Sequence, residues 1–439
     1  MGWFLNAAYL IVVLGFLPRL AWQAWRHGKY LDGWQAKWLG NVPLRHGERP
    51  CVWLHAVSLG EVNLLRSVID AWPSRSGAID FVITTTTRTG YQAAIRQFGD
   101  RHLVSYCPLD FTWAVRRAIR RFRPDVLALA ELELWPNLIR IADDHGVRLA
   151  VFNARLSDRS YHGYGRLSWF LRGTLRRLSL VACQTDFYAD RFVQLGTRHE
   201  ATQVTGSLKF DGVESCRQNV YTTALRSEVR IPEGGPIWLA GSTYPPEEQL
   251  VLSAFERLVP VHPDLRLILV PRHPERFDEV AKLLEKSGLS WARRSQLAGQ
   301  DDWQVLLVDA MGELQAWWGL ADIGYVGGSM GKRGGQNMIE PAAYGVAVSF
   351  GPKTGNFRDV VQLLKIADAC TIVSTDGQLG DFVDRCARDP QYRHRQGQRA
   401  RRLVLENTGA AGRTVELLHQ LLEKNMAISK FPVGWRRTA

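Results

Sequence analysis

The sequence predicts an α/β protein built from two Rossmann-like domains, and three patterns carry that prediction. From residue 50 onward short apolar runs alternate with helix-period segments. Most runs end in a polar cluster, and a polar stretch near the middle resets the rhythm before a second set begins. This is the rhythm of βαβ units, whose parallel sheets are covered on both faces. Open sheets of that kind take ligands past the carboxyl ends of their strands, so the polar clusters double as candidate site residues. The length of 439 residues exceeds one ordinary domain. A hydrophobic content of 46% and a mean hydropathy of −0.16 suit sizeable cores and exclude a disordered chain.

The elements follow in order. Trp3 to Pro18 is mostly apolar and is trailed by Arg19, Arg26 and Lys29. It is shorter than the roughly 20 residues of a spanning helix, and its charges lie after the apolar run, unlike a cleaved signal peptide. An uncleaved membrane anchor, spanning or lying in the interface, is expected over 1–30, with the rest of the chain on the cytoplasmic side; the alternative is a helix buried in the core. Strands are expected at 51–55, 79–83, 126–130, 149–152 and 180–183, with a helix at 61–71, giving a first domain over 31–215. Residues 216–236, with Pro232, Gly234, Gly235 and Pro236, read as a linker. Strands at 237–240, 265–270, 305–308, 323–326 and 346–350 build a second domain over 237–425, and 426–439 is a basic tail with Trp435, Arg436 and Arg437.

Charge narrows the partners. The formal net charge is +12, which implies an anionic surface or substrate. Arg116, Arg117, Arg120, Arg121 and Arg123 interleave with Trp113, Val115, Ala118, Ile119 and Phe122, an amphipathic helix whose basic face is either simply solvated or set against a membrane. No zinc-finger spacing or RNA-recognition signature occurs, so no nucleic-acid partner is expected. The six cysteines are scattered without a C-x-x-C pair, which fits a reducing compartment and no metal site.

The candidate chemistry sits at strand ends. Glu61 opens a helix after the first strand. It is either a helix-start carboxylate stabilised by the dipole or a general base for an acceptor hydroxyl. Glu131 and Glu133, one residue apart on a segment expected to be extended, face the same way; such a pair raises a pKa or needs a cation, an Arg or a Lys, with Lys209 as candidate. In the second domain Arg272 offers a fork for phosphate and His273 a donor between two prolines. Met311, Gly312 and Glu313 follow a strand, and both they and Gly241 to Thr243 read as helix starts whose amides can meet phosphate. The run Gly327 to Pro341 joins a buried strand to a helix; its glycines permit close approach, the helix start offers N–H groups, and Gln336, Asn337 and Glu340 offer polar side chains. Walker A, G-x-S-x-G and D-x-D patterns are all missing, which argues against an NTPase, an α/β-hydrolase and a metal-held nucleotide diphosphate.

Seven of these segments, in order along nearly the whole chain, resemble the Kdo transferases (3-deoxy-D-manno-octulosonic acid transferases) of bacterial lipopolysaccharide assembly: 53–61, 84–90, 131–137, 153–157, 205–211, 271–276 and 327–341. The resemblance implies a GT-B glycosyltransferase, with two Rossmann-like domains facing across a cleft and metal-independent, inverting transfer without a cofactor. It implies CMP-Kdo as donor and a lipid A precursor of the lipid IVA type as acceptor, at the cytoplasmic face of the inner membrane. On the matching positions Glu61 is similar to the catalytic base, and Glu131 and Lys209 to a pair that stabilises the transition state. Arg272, His273, Met311, Gly312, Glu313, Asn337, Met338, Ile339 and Glu340 resemble the CMP site. One position departs: Ala347 stands where the family pattern has proline. The competing expectations are another GT-B enzyme, a different transferase or a nucleotide-sugar epimerase, and a non-catalytic membrane-tethered binder of nucleotide sugars.

Overall fold

The computed structural model describes residues 2–27, 32–73, 78–229, 231, 234–297 and 302–429. Within them the chain divides into two compact units, the first between residues 2 and 211 with 408–429, the second between 212 and 407. Lys29, Pro232 and most of the expected basic tail, Trp435 to Arg437 included, lie outside the described residues.

The first unit carries seven parallel strands: β1 (Cys51–His55), β2 (Asp80–Thr85), β3 (Leu103–Tyr106), β4 (Val126–Ala130), β5 (Arg148–Ala154), β6 (Leu180–Cys183) and β7 (Thr202–Val204). Their order across the sheet is β3-β2-β1-β4-β5-β6-β7. Alternate side chains of β1 enter two separate cores, Cys51 and Trp53 on one face and Val52 and Leu54 on the other. Both faces are therefore dry, which is why the strand reads as a continuous apolar run.

The second unit repeats the plan with β8 (Ile237–Thr243), β9 (Arg266–Pro271), β10 (Trp291–Arg293), β11 (Val305–Leu307), β12 (Ile323–Val326), β13 (Ala347–Phe350) and β14 (Thr371–Ile372). The order is β10-β11-β9-β8-β12-β13-β14, again all parallel. In each sheet the order reverses beside its first strand, between β1 and β4 and between β8 and β12. Those are the switch points where such sheets open a crevice.

Three expectations about organisation change. The stretch 216–236 is not a linker: it holds the helix Val220–Val229, whose Thr222, Leu225 and Val229 are buried within the second unit. Arg217 anchors its approach, donating to the carbonyls of Tyr344 at 3.0 Å and Ala321 at 2.7 Å. At the other end the helix Ala410–Ser429 leaves the second unit and packs on the first, where Val415, Leu418 and Leu422 join the core beside Val52 and Leu54. Asp211 caps it by accepting from the amides of Gly409 and Ala411, each at 2.6 Å. Gly241, Ser242 and Thr243 end β8 and do not start a helix.

The N-terminal helix Gly2–His27 is present, but among the described residues no helix is long and apolar enough to cross a membrane. It docks on the first unit through polar side chains. Asn6, only 3% exposed, donates to Thr112 Oγ1 at 2.8 Å and accepts from the Thr112 amide at 3.2 Å. The Tyr9 hydroxyl donates to Asp110 at 2.9 Å. The asparagine that interrupts the apolar run is the docking residue.

Candidate active site

At the switch point of the first sheet, β1 runs into a short loop and the helix Leu59–Asp70. Ser58 caps that helix, and Glu61 closes the box from the other side. The Ser58 hydroxyl donates to Glu61 Oε1 at 2.8 Å and the Val57 amide donates to Oε2 at 2.9 Å. Burial raises the Glu61 pKa, the two donors oppose the rise, and the nearby Glu131 carboxylate adds to it. The loop itself is held from β2: the hydroxyls of Thr85, Thr86 and Thr87 all donate to the Val57 carbonyl, at 3.0, 3.3 and 3.1 Å. The threonine run thus fixes the turn that aims Glu61.

Across the switch point, Glu131 follows β4 in a left-handed turn with φ of 55°. The segment is not extended as expected, because the chain turns immediately at the strand end. Glu131 pairs with Arg155 Nε at 3.1 Å, while Glu133 accepts from the Trp135 indole at 2.8 Å. Arg155, a cation of the 153–157 segment, thus stands beside Glu131. Glu133 still feels Glu61 and Glu131, although burial is the larger cause of its raised pKa. Lys209 lies in the 3₁₀ turn Leu208–Phe210, which packs against the helix that Glu61 begins. That turn is fixed by Asn153, at φ of 53°, whose Oδ1 accepts the Leu208 amide at 3.0 Å. Glu61, Glu131 and the Lys209 turn therefore share the carboxyl end of one sheet.

Beneath them His55 is fully buried, its Nδ1 bonded to Thr84 and its ring edge-on to Trp135. Burial drives its pKa down to about 4, so it stands neutral at physiological pH.

In the second unit the residues expected to meet the nucleotide follow the carboxyl ends of three strands. Arg272 and His273 follow β9, and the Arg272 amide bonds to the Thr243 carbonyl at the end of β8, 3.1 Å away. The His273 ring meets Tyr244 edge-on at 5.2 Å. Past β12, Asn337 donates to Glu340 at 2.9 Å. Burial raises the Glu340 pKa, opposed by Asn337 and by the charge of Arg272, which ties the two loops together electrostatically. Met311, Gly312 and Glu313 follow β11, the neighbour of β9. Glu313 there accepts from Trp317 at 3.2 Å and faces Arg294 at 3.5 Å. Met338 and Ile339 put their side chains into the core, so only their backbones can reach a ligand.

Several of the N–H groups expected to meet an anion are already taken. Glu247, 1% exposed, accepts from the amides of Gly328, Ser329 and Met330 at 2.7, 2.9 and 2.9 Å, from the Tyr244 amide at 2.9 Å and from the Tyr325 hydroxyl at 3.1 Å. The Ile339 amide is capped by Asn337.

Residues 33–212 match the family described as 3-Deoxy-D-manno-octulosonic-acid transferase (kdotransferase). A 3-deoxy-D-manno-octulosonic acid transferase of Bordetella pertussis is 33% identical over 95% of this chain and 99% of its own. One from Haemophilus influenzae is 34% identical over 85% of this chain and 88% of its own. The chain belongs to the 3-deoxy-D-manno-octulosonic acid transferase family. A solved glycosyltransferase from Rickettsia africae, 13% identical, shares the fold with a TM-score of 0.55 over 86% of this chain and 100% of its own.

Against that family pattern, the alanine at 347 has a local consequence. Its amide donates to the Asp322 carbonyl at 3.0 Å where β13 begins, a bond that proline could not make. Three contacts that hold these residues carry no local sequence signal: the convergence of the threonine hydroxyls, the clamp by Glu247 and the pairing by Arg155. The spacing of Ser58 and Glu61 was the one available signal, since S-x-x-E marks a capping box.

Proposed function

We propose that the protein transfers Kdo from CMP-Kdo to a hydroxyl of a lipid A precursor of the lipid IVA type, inverting the anomeric centre and using no metal. The observation that carries the reading is Glu61: a half-buried carboxylate of raised pKa, fixed by two hydrogen bonds at a switch point, beside Glu131 and the Lys209 turn. In this reading the acceptor hydroxyl gives its proton to Glu61 as its oxygen bonds to the anomeric carbon. The bond from that carbon to the CMP phosphate breaks, and CMP leaves with the electron pair. Glu131, Arg155 and Lys209 set the charge around the developing transition state. Arg272 and His273 hold the phosphate, Asn337 and Glu340 the nucleoside, and Met311 to Glu313 the remaining wall.

The acceptor side is supported by the surface of the first unit. Trp3, Phe4, Ile11, Val12 and Leu14 are exposed on the N-terminal helix, and Arg116, Arg117 and Arg120 are exposed on the helix Thr112–Phe122. An apolar helix beside basic charge suits an interface rich in anionic lipid and supports the reading that the enzyme works at the cytoplasmic face of the inner membrane. Glu61→Gln tests the base directly: Gln keeps the cap but cannot take the proton. Transfer falls by at least about a hundredfold while CMP affinity stays within twofold. A variant that keeps wild-type turnover removes Glu61 from the mechanism.

A further inference from the structure

Beside the glycine-rich loop of the second unit lies a cleft of about 340 Å³ that the transfer reading leaves unused. Lys332, Lys353 and Arg358 line it together with Thr354, and no carboxylate does. Among the described residues none of the three cations is in an ion pair, and Asp359, which follows Arg358, is not part of the lining. The segments that carry the cations are laced together. The Lys353 amide donates to the Ser329 carbonyl at 2.8 Å, the Asn356 amide to Gly334 at 2.9 Å, and the Asn356 side chain to Arg333 at 2.8 Å. Gly334 and Gly335, with φ of 82° and 83°, supply the bend that brings the two loops face to face.

Three like charges lining one small cleft repel each other, and a counter-charge seated among them relieves that cost. We propose that the cleft is a second anion site, holding a phosphate monoester apart from the residues assigned to the nucleotide. The Arg358 fork suits two phosphate oxygens, the lysines supply point charges, and Thr354 offers a hydroxyl. Arg358 also begins the helix Arg358–Ile366, whose dipole adds positive potential at that end. The same headgroup chemistry is found on soluble phosphate esters and on phosphorylated lipids. The proposal does not depend on the donor reading.

The full-length protein, saturated with CMP, is titrated with glycerol 3-phosphate. In parallel it is tested for sedimentation with phosphatidylcholine vesicles, with and without phosphatidic acid. Wild type is expected to bind the ester and to favour the phosphatidic acid vesicles. Lys332→Ala, Lys353→Ala and Arg358→Ala should each weaken binding roughly threefold, and the triple variant at least roughly tenfold. Melting temperature and CMP affinity should not change, because all three side chains are exposed. A loss confined to the soluble arm identifies a soluble ester as the ligand, and a loss confined to the vesicle arm identifies a lipid headgroup; either supports the site. Unchanged binding of both probes by the triple variant, or no binding of either by wild type, overturns it. Failure of wild type to bind CMP strikes the donor reading and leaves this one standing.

Discussion

At the scale of single residues, Glu61 is held between opposing demands. Desolvation favours its protonated form, whereas the Val57 amide and Ser58 hydroxyl favour the carboxylate. The balance leaves the pKa raised, which suits a base that must accept a proton near neutral pH. Because the base acts only when ionised, the rate should fall as pH drops through that raised value. The acid limb of a kcat/KM profile therefore lies above the ordinary glutamate value of about 4.3, and disappears in Glu61→Gln. A limb at the ordinary value contradicts the assignment. Linkage has a definite sign here. With a folded-state pKa above the unfolded one, Glu61 favours the fold below the unfolded value, and that contribution is lost as pH rises through the folded one. Replacing it with Gln should thus leave stability at pH 8 unchanged or raised while activity is lost. Its position was legible because a carboxylate in the first turn of a helix, just past an apolar run, has a physical reason to be there. The threonine hydroxyls that aim it were not legible as supports, since their shared acceptor is a backbone carbonyl 28 to 30 residues away.

At the scale of elements, the strands foreseen in the sequence are the central ones. β3, β7, β10 and β14 escaped, and all four are outermost strands, with the side chains of β7 and β14 only partly covered. An outermost strand needs less apolar surface, so β7, β10 and β14 shrink to two or three residues and lose the run that marks a buried strand. The glycine-rich loop teaches a related lesson. Its glycines announced a close approach, but the group that approaches is a protein carboxylate from 81 to 83 residues earlier. Glu247→Ala strips the acceptor from four amides and one hydroxyl. We expect a loss of about 3 kcal/mol or more in denaturant unfolding, with weakened CMP binding as the loop slackens. A change below about 1 kcal/mol shows that water replaces the carboxylate without penalty.

At the scale of the whole molecule, the chain begins and ends its described part on the same unit. The helix Ala410–Ser429 is apolar on the face that meets the first sheet, and Asp211 fixes its first turn. Sequence pattern could identify the helix but not which sheet it covers, because nothing local distinguishes one Rossmann-like core from another. Truncation after Asn407 uncovers Val415's, Leu418's and Leu422's partners, a loss on the order of 5 kcal/mol from three buried aliphatic side chains. The truncated chain should show a lowered melting transition for the first unit and an unshifted one for the second. Equal shifts in both would place the helix elsewhere. The N-terminal helix was legible as apolar, while its docking was hidden, since Asn6 reads as an interruption of the run and Tyr9 as part of its apolar surface.

The central claim, Kdo transfer, is tested most directly by incubating the purified protein with CMP-Kdo and a lipid A precursor and weighing the lipid by mass spectrometry. The account predicts a product heavier by whole Kdo residues, formed by wild type and not by Glu61→Gln. A lipid of unchanged mass, with the protein shown to be folded, contradicts it.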